Sequence, residues 1–248
     1  MFSKGVRENS LGITLNEDTR REVKNILRGL KSKVYLKFFV PENLEECLYC
    51  KEEEEILKII SELAPLGKIV VEKYPSSAPL VKEYSINMFP ALLIHSEQKS
   101  YGIRYFGIPA GYEFGALIED ILDVSRGKVN VEEEVLDIIK QVDRPAQIKV
   151  FVTPTCPYCP LAARAAHKFA IINENITGDV IEALEFPEEA NRYSVLAVPK
   201  VIINDSVEFE GALPEKLFAL AVLESIGKKI PGMDFKEMYN QLRSLSKC

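Results

Sequence analysis

The 248-residue sequence predicts an α/β protein of two tandem units, each a mixed four-stranded sheet flanked by helices. Three observations predict this class. The chain contains an internal repeat, which indicates that one structural unit occurs twice. Helical and strand periodicities alternate in the same order in both copies. Each copy then ends with a hairpin pattern and a helix, and this order is typical of a mixed sheet with helices on both faces.

The repeat is carried by residues that stand 109 positions apart. The matching pairs are Cys47 with Cys156, Cys50 with Cys159, Tyr49 with Tyr158, Tyr84 with Tyr193, Ser85 with Ser194, and Pro90 with Pro199. The offset changes only in predicted loops, where insertions are tolerated. We therefore divide the chain into an N-terminal unit (1–122), a polar linker (123–130) and a C-terminal unit with an extra helix (131–248).

Each unit opens with apolar residues at helical spacing, over residues 23–30 and 135–142. VYLKFFV and IKVFV follow as runs typical of buried strands. The C-x-x-C pairs come next, and helical spacing resumes behind them. In the first copy this helix carries the run KEEEE, which we interpret as a solvated helix face.

The second half of each unit predicts a strand, a short helix and a hairpin. KIVVEKY and DVIEALEF are the second strands, and SSAPLVKEY and PEEANRY are the short helices. The hairpins are PALLIHS with YGIRYFG in the first unit and PKVIIN with VEFEG in the second. A helix closes each unit, and residues 235–242 predict one more amphipathic helix for packing.

Composition excludes several classes of protein. A net charge of -6 and a pI near 5.3 argue against nucleic acid or an anionic membrane as a partner. The apolar runs are too short to span a bilayer, and we expect no signal peptide, because no apolar core follows MFSKGVRENS. We therefore expect a soluble, cytoplasmic protein, treated as a monomer because the sequence does not reveal its oligomeric state. Abundant Glu and Lys without Trp favour a thermophilic source.

Four of the five cysteines form the two C-x-x-C pairs, for which two interpretations compete. Zinc needs four thiolate or imidazole ligands around one centre, and two such pairs could supply them. Each pair, however, lies at a strand-to-helix junction, one domain away from the other. This context favours redox chemistry over a metal site. The fifth cysteine, Cys248, is interpreted as an idle thiol, and the two histidines as ordinary packing or surface residues.

A helix start explains why these sulfurs should react. Unpaired N–H groups and the helix dipole stabilise a thiolate there, so we expect Cys47 and Cys156 to be nucleophiles. Cys50 and Cys159 lie one helical turn further on and would act as resolving thiols, giving the redox-active disulfides Cys47–Cys50 and Cys156–Cys159. Acidic neighbours surround Cys47, whereas Arg164 and His167 follow Cys156, so we expect Cys156 to be the more acidic thiol.

Pro90 and Pro199 each stand 40 residues after the second cysteine and open a strand, where proline is otherwise disfavoured. The alternative is that each proline only occupies an edge strand and has no role at the site. Cis bonds at Phe89–Pro90 and Val198–Pro199 would turn the preceding backbone toward the sulfurs and leave it free to pair with an extended substrate.

FVTPTCPYC together with AVPKVII resembles a glutaredoxin, and the C-x-x-C with its later proline is typical of the thioredoxin fold. Two such units resemble the protein disulfide oxidoreductases of hyperthermophilic archaea and bacteria. The resemblance implies reduction, formation and isomerisation of disulfides in client proteins without another cofactor. It also implies a flavoprotein thioredoxin reductase and a peroxiredoxin as partners, and places Tyr49 and Tyr158 beside the substrate with the proline dipeptides.

Two departures from glutaredoxins bear on the reductant. Thr153 replaces a lysine that helps to bind glutathione, and GALPE replaces a Gly-Gly-x-x-Asp run. A protein reductant therefore fits better than glutathione. A second class of function remains open, in which the chain is a redox-regulated or chaperone-like binding module without significant turnover.

Overall fold

The computed structural model describes residues 6–9 and 12–245. Cys248, which the sequence analysis interpreted as an idle thiol, lies outside these residues. The described residues form ten strands and nine α-helices.

The strands are β1 (Val6–Asn9), β2 (Gly12–Leu15), β3 (Val34–Val40), β4 (Ile69–Pro75), β5 (Ala91–Ser96), β6 (Ile103–Phe106), β7 (Ala146–Val152), β8 (Ile176–Glu182), β9 (Lys200–Ile203) and β10 (Val207–Glu210). The helices are α1 (Glu17–Leu27), α2 (Cys50–Leu63), α3 (Pro79–Glu83), α4 (Glu113–Arg126), α5 (Glu133–Ile139), α6 (Cys159–Ile172), α7 (Pro187–Arg192), α8 (Glu215–Ser225) and α9 (Phe235–Leu245).

The predicted α/β class is confirmed, and each unit contributes a mixed four-stranded sheet. Strands β3 to β6 belong to the first unit and strands β7 to β10 to the second. Within each unit the hairpin strand that follows the proline runs antiparallel to the strand that precedes the cysteines. The hairpin of β1 and β2 forms a separate two-stranded sheet that the sequence analysis did not predict.

The two sheets are joined into one. Strand β6 pairs in parallel with β8, so the order across the molecule is β10-β9-β7-β8-β6-β5-β3-β4. The larger hydrophobic core lies on one face of this sheet, and a smaller one lies on the other face under α3 and α7. The repeat in the sequence predicts two four-stranded sheets but gives no indication of their junction.

Buried ion pairs cross the junction. The Arg104 guanidinium on β6 donates to both carboxylate oxygens of Asp179 on β8, at 2.6 and 2.7 Å. On the helical face, Arg164 of α6 pairs with three acidic residues of α4, Glu119, Asp120 and Asp123. These contacts hold the helix that begins at Cys159 against the first unit.

Helix α4 ends at Arg126 and α5 begins at Glu133, so the first four residues of the predicted linker (123–130) are helical. The division of the chain at this linker stays a prediction. Strand β8 ends at Glu182, which leaves the last residues of the predicted strand DVIEALEF in the loop before α7.

Candidate functional site: two disulfides at one edge of the sheet

Both C-x-x-C pairs form disulfides, Cys47–Cys50 and Cys156–Cys159. Each pair follows the strand that the sequence analysis assigned to it, β3 or β7. These two strands are parallel to each other and four positions apart in the sheet. At about 4.8 Å per strand, β3 and β7 are about 19 Å apart, and both disulfides follow the carboxyl ends of these strands.

At the second site, helix α6 begins at Cys159, and Cys156 stands just before it. The backbone N–H of Cys159 donates to the Cys156 sulfur at 3.1 Å. The first N–H groups of a helix have no partner within the helix, and such a donor stabilises negative charge on the sulfur that receives it. Cys156 is 8% exposed and Cys159 is fully buried, so the outer sulfur belongs to the first cysteine.

The first site repeats this order. Helix α2 begins at Cys50, and a short 3-10 turn over Leu44–Glu46 precedes Cys47. Cys50 is buried and Cys47 is half-buried, so the first cysteine is again the accessible one. Among the described residues we find no hydrogen bond to the Cys47 sulfur like the one that Cys156 receives.

The proline of the second site follows a residue that lies beside the disulfide. The Phe89–Pro90 and Val198–Pro199 bonds are both cis, as the sequence analysis expected. The Val198 carbonyl oxygen lies 3.7 Å from the Cys156 sulfur. Behind each proline, a glycine of the hairpin donates its N–H to the proline carbonyl, from Gly107 to Pro90 at 3.0 Å and from Gly211 to Pro199 at 2.8 Å.

A cleft of about 310 Å³ adjoins the second site, between the residues before Cys156 and those before Pro199. Thr153 and Val198 line it on the side of the disulfide, and Leu184 and Leu196 line it further out. Both leucines are strongly exposed, and so is the Tyr158 ring inside the C-x-x-C motif. The first site exposes Leu48 in the same way, whereas Tyr49 is half-buried and packs against the core.

Two buried glutamates near the disulfides were missed by the sequence analysis. Glu53 lies three residues after Cys50, is fully buried, and has no hydrogen-bond partner at either carboxyl oxygen. Burial and the nearby Glu185 raise its pKa well above the usual value. A periodicity signal could have found it, because Glu53 occupies a position on the buried stripe of α2 together with Cys50 and Ile56. The interpretation of KEEEE as a solvated face is therefore wrong for this residue.

Glu113 is the corresponding carboxyl near the second site. It opens α4 directly after Tyr112, whose N–H donates at 3.0 Å to the carbonyl of Pro154, two residues before Cys156. Its side chain is buried without a hydrogen-bond partner, and burial raises its pKa to about 8. Both sites thus have a neighbouring helix with an unpaired buried carboxyl, and burial raises the pKa of each carboxyl.

The structure contradicts one reason for expecting a low pKa at Cys156, namely the positive charge of Arg164 and His167. Arg164 is neutralised by the three carboxylates of α4. Burial lowers the pKa of His167 to about 3, so its ring is neutral, and its Nδ1 lies 2.6 Å from an Asp120 oxygen. Neither side chain supplies a free positive charge to the sulfur. What favours a Cys156 thiolate is the N–H of Cys159.

Several similarities to known proteins agree with this arrangement. A thioredoxin-domain family profile matches residues 146–224. The solved structure of a protein disulfide oxidoreductase from Aeropyrum pernix has a TM-score of 0.78 and 28% identity, and the match covers 88% of this chain and 97% of that one. The AhpF component of alkylhydroperoxide reductase from Enterococcus faecalis, at 24% identity and a TM-score of 0.76 over 84% of this chain and 99% of that one, shares the fold.

Among curated proteins, the AhpF component of alkyl hydroperoxide reductase from Staphylococcus aureus is 27% identical over 230 residues. The match covers 92% of this chain and 41% of the relative, so the chain spans about two fifths of the length of the curated relatives it matches.

The fold and the two disulfides define a two-unit thioredoxin-fold protein with one C-x-x-C site in each unit. The chain is similar over nearly its whole length to the protein disulfide oxidoreductase of Aeropyrum pernix. Within the described residues, no group of three or more His, Cys, Asp or Glu side chains could hold a metal ion. No helix there is long and apolar enough to cross a membrane.

Proposed function

We propose that the chain reduces, forms and isomerises disulfide bonds of client proteins at both sites, without a cofactor beyond its own disulfides. One observation carries this proposal above the others. The Cys156 sulfur, the outer one of its pair, receives a helix N–H at 3.1 Å and lies 3.7 Å from the carbonyl oxygen that precedes a cis proline, and Val198 also lines a cleft open to solvent. Each predicted domain, residues 1–122 and 131–248, would carry one such site.

In the reducing direction, the site begins as a dithiol. The thiolate of Cys47 or Cys156 attacks one sulfur of a client disulfide, forms a mixed disulfide and releases the other client sulfur as a thiolate, which takes up a proton. Cys50 or Cys159 then loses its proton and attacks the mixed disulfide. The client leaves with both sulfurs reduced, and the two electrons are balanced by the new disulfide within the site. Oxidation of a client dithiol is the reverse of these steps.

Binding of the client is assigned to the backbone before each proline. Phe89 and Val198 precede Pro90 and Pro199, and an extended client segment can pair with their N–H and C=O groups. The exposed Tyr158 ring offers an apolar contact next to the attacking sulfur at the second site. Tyr49 has the equivalent position at the first site.

The partners are proposed from the relatives. The similarity to a component of alkyl hydroperoxide reductase supports a peroxiredoxin among the clients and a flavoprotein of the thioredoxin reductase type as the source of electrons. Thr153 in the cleft is consistent with a protein reductant rather than glutathione. We place the reaction in the cytoplasm.

Turnover of insulin disulfides with dithiothreitol tests this function. We expect the parent chain to accelerate reduction, each single-site variant to retain part of the activity, and the variant with all four motif cysteines changed to Ser to lose it. Cys248→Ser is the matched control and should leave the rate unchanged. Binding of reduced, unfolded insulin without accelerated reduction would instead favour the redox-regulated binding module.

A further inference from the structure

A residue of the second unit reaches the first disulfide site. Gly107 follows β6 and donates its N–H to the carbonyl of Pro90, the cis proline of that site, at 3.0 Å. The next residue, Ile108, donates its N–H at 2.6 Å to a carboxylate oxygen of Glu185, which lies between β8 and α7 of the second unit. Two consecutive peptide groups therefore link the Glu185 carboxyl to Pro90.

The contact is close. Gly107 has a φ of +85°, and a Cβ added there would lie only 2.7 Å from the same Glu185 oxygen. The carboxyl occupies the space that a side chain at position 107 would need. The backbone beside Pro90 is thus in contact with a group that the first unit does not contain.

Acidic residues of both units lie around Glu185, namely Glu182 of the second unit and Glu53 of the first. Burial and the negative charge of Glu182 raise the pKa of Glu185 to about 7, while the Ile108 N–H opposes the shift. Glu185 in turn acts on Glu53, which is fully buried with two unpartnered oxygens, three residues after Cys50. Glu188 and Glu189 of α7 line the cleft that Glu185 faces.

That cleft joins Glu185 to the loop that carries the proline. It has a volume of about 420 Å³ and is lined on the first unit by Asn87 and Met88, directly before Phe89 and Pro90. On the second unit it is lined by residues 185–189. A client chain that approaches Pro90 therefore passes close to Glu185.

We propose that Glu185 of the second unit is a positioning residue of the first disulfide site, so that this site is complete only when both units are present. It holds the backbone beside Pro90 through Ile108, and its charge faces the helix that carries Cys50. This inference rests on the proposed dithiol–disulfide function.

The test uses full-length chains that keep one site each. Cys156→Ser/Cys159→Ser retains the first site, and Cys47→Ser/Cys50→Ser retains the second. Into both we place Glu185→Gln, which keeps an oxygen for the Ile108 N–H but removes the charge, and Glu185→Ala, which removes both. Glu188→Gln is the matched control, because it removes an exposed carboxyl from the same cleft.

Two measurements are made on each variant: the pH midpoint of iodoacetamide alkylation of the reduced nucleophile, and KM and kcat for insulin reduction. At the first site, Glu185→Gln should lower the Cys47 midpoint by about half a pH unit, about a threefold change in thiolate population below the midpoint. Burial is the main cause of the raised pKa of Glu53, so Glu185→Gln leaves most of that shift in place. Glu185→Ala should in addition raise KM about threefold.

Glu188→Gln should change neither quantity, and neither Glu185 variant should alter the second site. The proposal is overturned when both Glu185 variants keep the parent midpoint and KM at the first site, or when they shift both sites equally. If circular dichroism shows that Glu185→Ala is unfolded, the proposal is tested by the alkylation midpoint of Cys47 in Glu185→Gln alone. Absence of insulin reduction by the parent first-site chain would contradict the proposed function instead, and the alkylation midpoint would still test Glu185.

Discussion

Replacing Glu113 by Gln should make the stability of the protein less sensitive to pH. Glu113 is 2% exposed, and its carboxyl has no hydrogen-bond partner at either oxygen. Burial raises its pKa from 4.5 to about 8. The folded state therefore keeps a proton that the unfolded state loses above pH 4.5, and the native state binds more protons over the whole interval.

The sign and size follow from this difference. The favourable contribution of the protonated carboxyl is fully present below pH 4.5 and is lost as the pH rises toward 8. Each pKa unit corresponds to about 1.36 kcal/mol, so the loss between pH 5 and pH 8 is roughly 3 to 4 kcal/mol. Gln at this position is neutral at every pH and does not contribute to such a loss.

The assay is guanidinium chloride unfolding of the oxidised protein at pH 5, 6, 7 and 8, followed by circular dichroism. The free energy of unfolding of Glu113→Gln, relative to the parent, should rise by roughly 3 to 4 kcal/mol across this range. Glu174→Gln, which removes an exposed carboxyl, is the control, and its free energy of unfolding should change with pH as that of the parent does. A constant difference between Glu113→Gln and the parent would show that Glu113 titrates alike in both states and would refute the reasoning.

Three further predictions concern the junction and the second site. Asp179→Asn leaves the buried Arg104 cation without its bidentate partner, so we expect a loss of about 3 to 5 kcal/mol in the free energy of unfolding by denaturant. Gly111→Ala places a Cβ 2.2 Å from a backbone oxygen of the loop before CPYC, at a φ of +62°. It should cost about 1 to 3 kcal/mol and slow insulin reduction at the second site more than at the first. In single-site variants, iodoacetamide alkylation should show a lower pH midpoint for Cys156 than for Cys47, because the sulfur of Cys156 receives a backbone N–H. Equal midpoints would contradict this reason.

The repeat predicted most of the fold because each element has a local signature. The spacing of apolar residues marked the opening helices, and the cysteine pairs marked the helix starts that follow β3 and β7. Pairing of β6 with β8 has no such signature, since YGIRYFG equally suits the outer strand of a sheet. In the sequence, the junction is indicated only by a charged residue in each strand, Arg104 in β6 and Asp179 in β8. Their ion pair can be recognised only when the pairing of the strands is known.

The candidate site likewise contains residues that the sequence reveals and residues that it does not. The cysteines and prolines were readable because their chemistry depends on residue type and spacing. Glu53 and Glu113 were not, because their effect depends on burial, and burial is set by elements far away in the chain. For the same reason the cations expected to favour Cys156 do not act on it. The carboxylates that neutralise Arg164 lie on α4, more than 40 residues earlier.

The shared sheet determines how electrons can move between the two sites. Thiol–disulfide exchange requires direct contact between sulfurs. The strands that lead to the two disulfides are about 19 Å apart, with three strands between them. The pairing of β6 with β8 and the contacts of Arg164 hold this separation. In the proposed function, electrons would therefore leave or enter each site through a client or reductant rather than pass directly from one C-x-x-C pair of the chain to the other.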